Sequence, residues 1–144
     1  MSFRKVLVAV DSSPLAVHAA DVGAELARAL GAELAFIHVV DLAVGFLPDT
    51  GVPAGELVAL AEKSGKELLE QFRRRLPEAT VPLEFMTTGK PAKEIVKAAR
   101  EWPAEVIVIG SHGRGGVKRV LLGSVAEGVM RHAECPVLVI RAPE

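Results

Sequence analysis

Residues 106–116 read VIVIGSHGRGG: four apolar residues in a row, then four glycines within seven positions. An unbroken apolar run of this length marks a strand covered on both faces, as in the middle of a parallel sheet. Glycines directly after it allow a sharp turn and positive φ, and leave main-chain amides approachable.

The flanking sequence repeats the same alternation. FRKVLVAV (3–10), AELAFIHVV (32–40), VPLEFMTT (81–88), EVIVI (105–109) and PVLVIR (136–141) read as strands. Between them lie helical patterns. In SSPLAVHAADVGAELARALG, Ser13 is the expected N-cap, Pro14 the first helical residue and Gly31 the terminator, with Ala19, Leu26, Ala27 and Leu30 inward. The segment 56–76 is a helix with Leu57, Leu60, Ala61, Ser64, Leu68 and Phe72 on one face. The segment 91–102 turns Ala92, Ile95, Val96 and Ala99 inward, and Pro103 ends it. In LLGSVAEGVMRHA, Ser124 and Glu127 have the S-x-x-E spacing of a capping box, which puts a helix start at Ser124 with Gly123 just outside.

Five strands separated by four helical segments predict an α/β fold: a three-layer, open, parallel, doubly wound sheet in one domain spanning 1–144. The first and fourth strands, nearly all apolar, belong at its centre. One connection, DLAVGFLPDTGVPAG (41–55), is long for a strand-to-helix loop, a length usually tied to function or mobility.

Composition narrows the function. Of 144 residues half are hydrophobic, enough for a sizeable core, and a net charge of −1 provides no global field for nucleic acid or an anionic membrane. A single cysteine, Cys135, excludes an intrachain disulfide and makes reducing cytoplasm the expected compartment. The N-terminal apolar stretch is too short for a signal peptide, and no run reaches transmembrane length. His18, His38 and His132 have no metal-ligand spacing and are expected to be structural, and no orienting base accompanies Cys135, so no catalytic thiol is expected.

In an open α/β sheet ligands sit at the carboxyl ends of the strands, where strand order reverses. The glycine cluster lies on that edge. Standard phosphate fingerprints fail there: Gly110 and Gly115 have Walker spacing, but Gly116 and Val117 replace Lys and Ser/Thr, and Lys118 occupies the last glycine position of G-x-G-x-x-G. No G-x-S-x-G elbow surrounds Ser111 or Ser124. A helix N-terminus at Ser124 still offers unpaired amides and partial positive charge. Between Ser111 and Ala126 stand three basic residues and no acidic one, so the local charge suits a polyphosphate. If Gly113 and Gly123 fold toward each other, the intervening RGGVKRVLL closes a small amide-lined cup, with Arg114 at its rim and His112 a donor to phosphate or backbone. Asp11 either caps the following helix or holds a ribose hydroxyl or a phosphate-bound Mg²⁺.

Gly110-x2-Gly113-x9-Gly123-Ser124 resembles the nucleotide-binding motif of the ATP-binding branch of the universal stress protein family. KVLVAVDSSPLA, IHVV, GKPAKEIVKAA and ECPVLVIR are similar to its first strand and turn, second strand end, third helix region and last strand. The resemblance implies strand order 3-2-1-4-5 and an ATP or related adenine nucleotide, with Mg²⁺, between the first and fourth strands. It implies Ala9, Val10 and Asp11 on the adenosine side, the Val39 backbone at the adenine, Ile109 and Gly110 beside the ribose, and Gly113, Gly123, Ser124 and Val125 at the phosphates. It also implies a homodimer through strand 136–141, and a regulatory, stress-response nucleotide sensor rather than an enzyme. The alternative is a slow ATPase or adenine-nucleotide transferase using the same cleft, with Asp11 as the sole attractive carboxylate.

Overall fold

The computed structural model describes residues 3–41, 51, 53–112 and 122–142. Strand and helix alternate through them: β1 (Lys5–Ala9), α1 (Pro14–Leu30), β2 (Glu33–Val40), α2 (Ala54–Arg74), β3 (Leu83–Thr88), α3 (Pro91–Glu101), β4 (Val106–Gly110), α4 (Ser124–His132) and β5 (Val137–Ile140). All pairings are parallel, and the sheet runs β3-β2-β1-β4-β5. Strand order therefore reverses between β1 and β4, as expected, and β3 and β5 are the edges.

The period-two alternation of the strands sorts the core into two layers. Val6, Val8 and Val10 point to the face covered by α1 and α2, where they meet Ala16, Ala19, Ala20, Ala27, Leu69 and Phe72. Leu7, Ala9, Ile107 and Ile109 point to the other face, against Ile95 and Ala99 of α3 and Ala126 and Val129 of α4. Leu7, Val8, Ile107 and Val108 are wholly inaccessible to solvent, as residues of central strands should be.

The helix ends follow their local chemistry. Ser13 stands extended at the N-cap of α1 and Pro14 takes the first turn, where its missing N–H leaves no bond unmade. Gly31 closes the helix at φ 64°, and the following Ala32 amide returns to the Ala27 carbonyl at 2.8 Å.

Two helix faces differ from expectation. The buried face of α1 is Ala16, Ala19, Ala20, Gly23 and Ala27, whereas Leu30 is 45% exposed. The helix lies so close over β1 and β4 that only small residues fit beneath it. In α2 the buried positions are Gly65, Leu69 and Phe72, and Leu60 is 59% exposed. In α3 the expected Ile95, Val96 and Ala99 are buried. Most of the connection 41–55 lies outside the described residues.

Candidate functional site

The carboxyl ends of the strands form two lips on either side of the reversal point. On one side β1 parts from β2. Their pairing ends at Ala9↔Ile37, and the Val10 amide still donates to the Ile37 carbonyl at 2.9 Å. The next rung of a parallel ladder would carry the Val39 amide to the Val10 carbonyl. That rung is absent. The Val10 carbonyl instead lies 3.0 Å from Nδ1 of His38. A carbonyl only accepts, so Nδ1 carries the hydrogen and donates it.

The consequence falls on Val39. The Val40 carbonyl accepts the Gly89 amide at 3.0 Å, so Val40 faces β3. Alternation then directs the N–H and C=O of Val39 toward β1. With β1 diverted, half-buried Val39 presents one donor and one acceptor, side by side, into the gap. Just beyond, Asp11 Oδ1 accepts the Ser13 amide at 2.8 Å and the Ser13 hydroxyl, a side-chain turn that leads the chain into α1. Asp11 therefore makes a turn ahead of α1 rather than a cap on it, and the Ser13 hydroxyl likewise turns to Asp11 rather than to the helix, which has no side-chain cap bond.

On the other side the main chain closes up. Gly110 is still a paired strand residue opposite Ile140, without positive φ, and its bare α-carbon leaves room for Leu15 rather than making a turn. The Ser111 amide continues the ladder onto the Ile140 carbonyl at 2.7 Å. The Ser111 carbonyl accepts the Gly123 amide, also at 2.7 Å, joining two stretches twelve residues apart in number (123 − 111). A Cβ on Gly123 would stand 2.9 Å from the Ser111 oxygen and 3.3 Å from the His112 α-carbon, so only glycine permits this approach.

Gly123 is also the N-cap of α4, and Ser124 is its first helical residue. The expected helix start holds. The expected capping box does not: with the cap moved to Gly123, Glu127 falls one position too far along. Its amide returns to the Gly123 carbonyl, and its carboxylate takes Arg131 at 2.8 Å. The amides of the first turn, from Ser124 and Val125 onward, have no partner within the helix and carry the positive end of its dipole.

Of the sequence-predicted residues, Ala9, Val10 and Ile109 are buried and supply floor and main chain. Asp11, Val39, Gly110, Gly123 and Val125 are half-buried along the rim, and Ser124 is exposed. Gly113 and Arg114 lie outside the described residues. Among the described residues no group of three or more His, Cys, Asp or Glu side chains could hold a metal ion. Burial pushes the half-buried Cys135 thiol above its ordinary value, away from the reactive thiolate.

Among the described residues, two buried polar atoms at this edge find no hydrogen-bond partner: Thr87 Oγ1 and His112 Nε2. His112 Nδ1 lies 3.1 Å from the Ser111 hydroxyl. Thr87 is the β3 partner of Val39 in register. A buried polar group left unpaired is unfavourable by about 1–3 kcal/mol, so both atoms suit a guest with polar edges. Thr87 and the diverting role of His38 escape sequence reasoning. Their only signal is a polar residue interrupting an apolar strand near its carboxyl end, in FIHVV and FMTT.

Comparison with known proteins gives a family and a set of fold relatives. Residues 2–141 match the model of the universal stress protein family. A universal stress protein of Methanocaldococcus jannaschii is 37% identical over 147 aligned residues, covering 99% of this chain and 84% of the relative. Among solved structures, UspA of Lactobacillus plantarum superposes with a TM-score of 0.84 at 28% identity, covering 98% of this chain and 99% of that one. A universal stress protein of Archaeoglobus fulgidus in complex with dAMP gives a TM-score of 0.63 at 28% identity, covering 97% and 99%.

Proposed function

The chain belongs to the universal stress protein family, and on that premise we propose that it is an adenine-nucleotide-binding regulatory protein of the family's ATP-binding branch. The observation that carries this reading is the unmade rung at Val39. An adenine edge offers an amino donor beside a ring-nitrogen acceptor, and the Val39 C=O and N–H form the complementary pair. The opposite lip suits the other end of the molecule: with the Gly123 amide already bonded to Ser111, the amides at Ser124 and Val125 and the Ser124 hydroxyl would hold phosphate oxygens beside the bare Gly123 α-carbon, without a lysine anchor. Ile109 and Gly110 would lie beneath the ribose, and Gly113 and Arg114 would complete the phosphate side. A solved relative of the same fold is a complex with dAMP, which supports an adenine nucleotide as the ligand class. Mg²⁺ would enter with the phosphates rather than at a protein site, with Asp11 the adjacent carboxylate.

What surrounds the cleft supports a regulatory role. Asp11 is committed at Oδ1 to Ser13, and no Walker lysine is present to support rapid phosphoryl transfer. Nucleotide would act by shifting the population of chain conformations, which requires different affinities for the two states. Strand β5 is an open edge with Leu138 38% exposed, and pairing with a second copy would cover it.

The test begins with ligand released from freshly purified protein by denaturation and identified by mass spectrometry. ATP, ADP, AMP and GTP are then titrated into emptied protein. Adenine nucleotides are expected to bind in preference to GTP, with hydrolysis slow or absent. Failure of every adenine nucleotide to bind would end this reading, and rapid turnover lost in Asp11→Ala would replace it with the enzymatic one. Sedimentation is expected to show a dimer that Leu138→Lys converts to monomer.

A further inference from the structure

Resting on the adenine reading above, we propose that His38 is a positioning residue that props the β1–β2 fork open, so that the Val39 amide stays available to the base. Parallel strands normally keep pairing until the chain turns away. Here the last β1–β2 pair is Ala9↔Ile37, although the Val10 amide remains bonded to β2. What changes at that point is the acceptor. The Val10 carbonyl receives the imidazole Nδ1–H of His38, one residue before the amide that the ladder would have used. The imidazole satisfies the carbonyl that the next rung would have used.

The seat of this ring is built on the facing helix. Gly65 lies buried in the middle of α2, a position where glycine lowers helix propensity. A Cβ there would come within 2.9 Å of His38 Cδ2 and within 2.9 Å of Met86 Sδ. The bare α-carbon therefore makes room for the imidazole, and the ring is held between α2 above and the Val10 carbonyl beside it. Its hydrogen bond goes to the Val10 carbonyl, so the ring acts on main chain.

A side chain without a donor at position 38 leaves the Val10 carbonyl seeking a partner. The donor the ladder supplies is the Val39 N–H, the same group offered to the adenine. Closing that rung occupies the site with the protein's own backbone.

The experiment compares His38→Leu, which removes the donor, with His38→Asn, whose side-chain nitrogen sits where Nδ1 does. Gly65→Ala, which keeps the imidazole but crowds its seat, is the third variant. In nucleotide-free protein, exchange of the Val39 amide is followed by NMR, and ATP affinity is measured by calorimetry. His38→Leu and Gly65→Ala are expected to slow Val39 exchange about tenfold and to weaken ATP about tenfold, while His38→Asn keeps both near wild type. The proposal is overturned if Val39 exchange in His38→Leu equals wild type, or if Leu and Asn lose ATP affinity equally, which would mean ring packing alone matters. If wild-type protein binds no adenine nucleotide, the functional reading fails. The exchange contrast then still decides whether His38 holds the fork.

Discussion

The two lips of the cleft are built on opposite principles. At β4 and β5 the main chain bonds to itself beyond the strand ends, Ser111 to Ile140 and Gly123 to Ser111, each at 2.7 Å. At β1 and β2 a side chain intervenes, and the ladder stops one rung early. The first arrangement locks a loop in place by leaving no room for a side chain. The second keeps main-chain groups unpaired, which is unfavourable unless something else satisfies them. A rigid rim next to an open one is what a cleft needs in order to fix one end of a ligand and read the other.

Breaking the closed lip should have the largest effect. Gly123→Val places a branched side chain against the Ser111 oxygen, and because the obstacle is backbone the two stretches must separate. Thermal unfolding should show a loss of about 1–3 kcal/mol, and calorimetry should show no ATP binding. A Gly123→Val protein that binds ATP normally would mean the junction is incidental.

Ser124→Ala sharpens the distinction between capping and ligand contact. As first helical residue rather than N-cap, Ser124 contributes little to the helix, so stability should change by less than about 0.5 kcal/mol, against about 1 for a lost cap. ATP affinity should fall about tenfold, the scale of one hydrogen bond to a charged group. On the open lip, Thr87→Val removes a buried hydroxyl that has no partner among the described residues. Denaturation of ligand-free protein should show unchanged stability or a gain of up to about 1 kcal/mol; a clear loss would reveal a bond at that oxygen. The smallest effect belongs to Glu127→Ala, outside both lips. It removes an exposed pair with Arg131, worth about 0.3–0.5 kcal/mol, and a larger loss in chemical denaturation would restore the capping box.

How much of this was legible in the sequence depended on whether the deciding contact was local. The central places of β1 and β4 read correctly because burial on both faces leaves an uninterrupted apolar run, whereas the full strand order was legible only through the family resemblance. The inward face of α3 was equally clear, since its large residues at helical spacing are the ones that pack. In α1 the same logic failed at Leu30. Hydrophobicity favours large side chains, but the close approach of α1 to β1 and β4 selects Ala16, Ala19, Ala20, Gly23 and Ala27. Glycine spacing and the family resemblance pointed to Gly113, which lies outside the described residues, as the glycine that meets Gly123; the contact among the described residues is with Ser111. The capping box was misread because glycine, not serine, holds the cap, and S-x-x-E spacing alone cannot distinguish N-cap from the next position. The fork at Val39 was not legible in the strand pattern, although the family resemblance implied an available Val39 backbone. Alternation along FRKVLVAV and LAFIHVV predicts a ladder that simply continues. Its interruption depends on where α2 presents a glycine, a contact across 27 positions (65 − 38).

The most direct test is an ATP titration followed by amide NMR on the wild-type protein. The Val39 amide on one lip and the Gly123, Ser124 and Val125 amides on the other should shift together, saturating at a single affinity. Saturable ATP binding that leaves the Val39 amide unmoved, or that shifts neither lip, would contradict a nucleotide spanning the two.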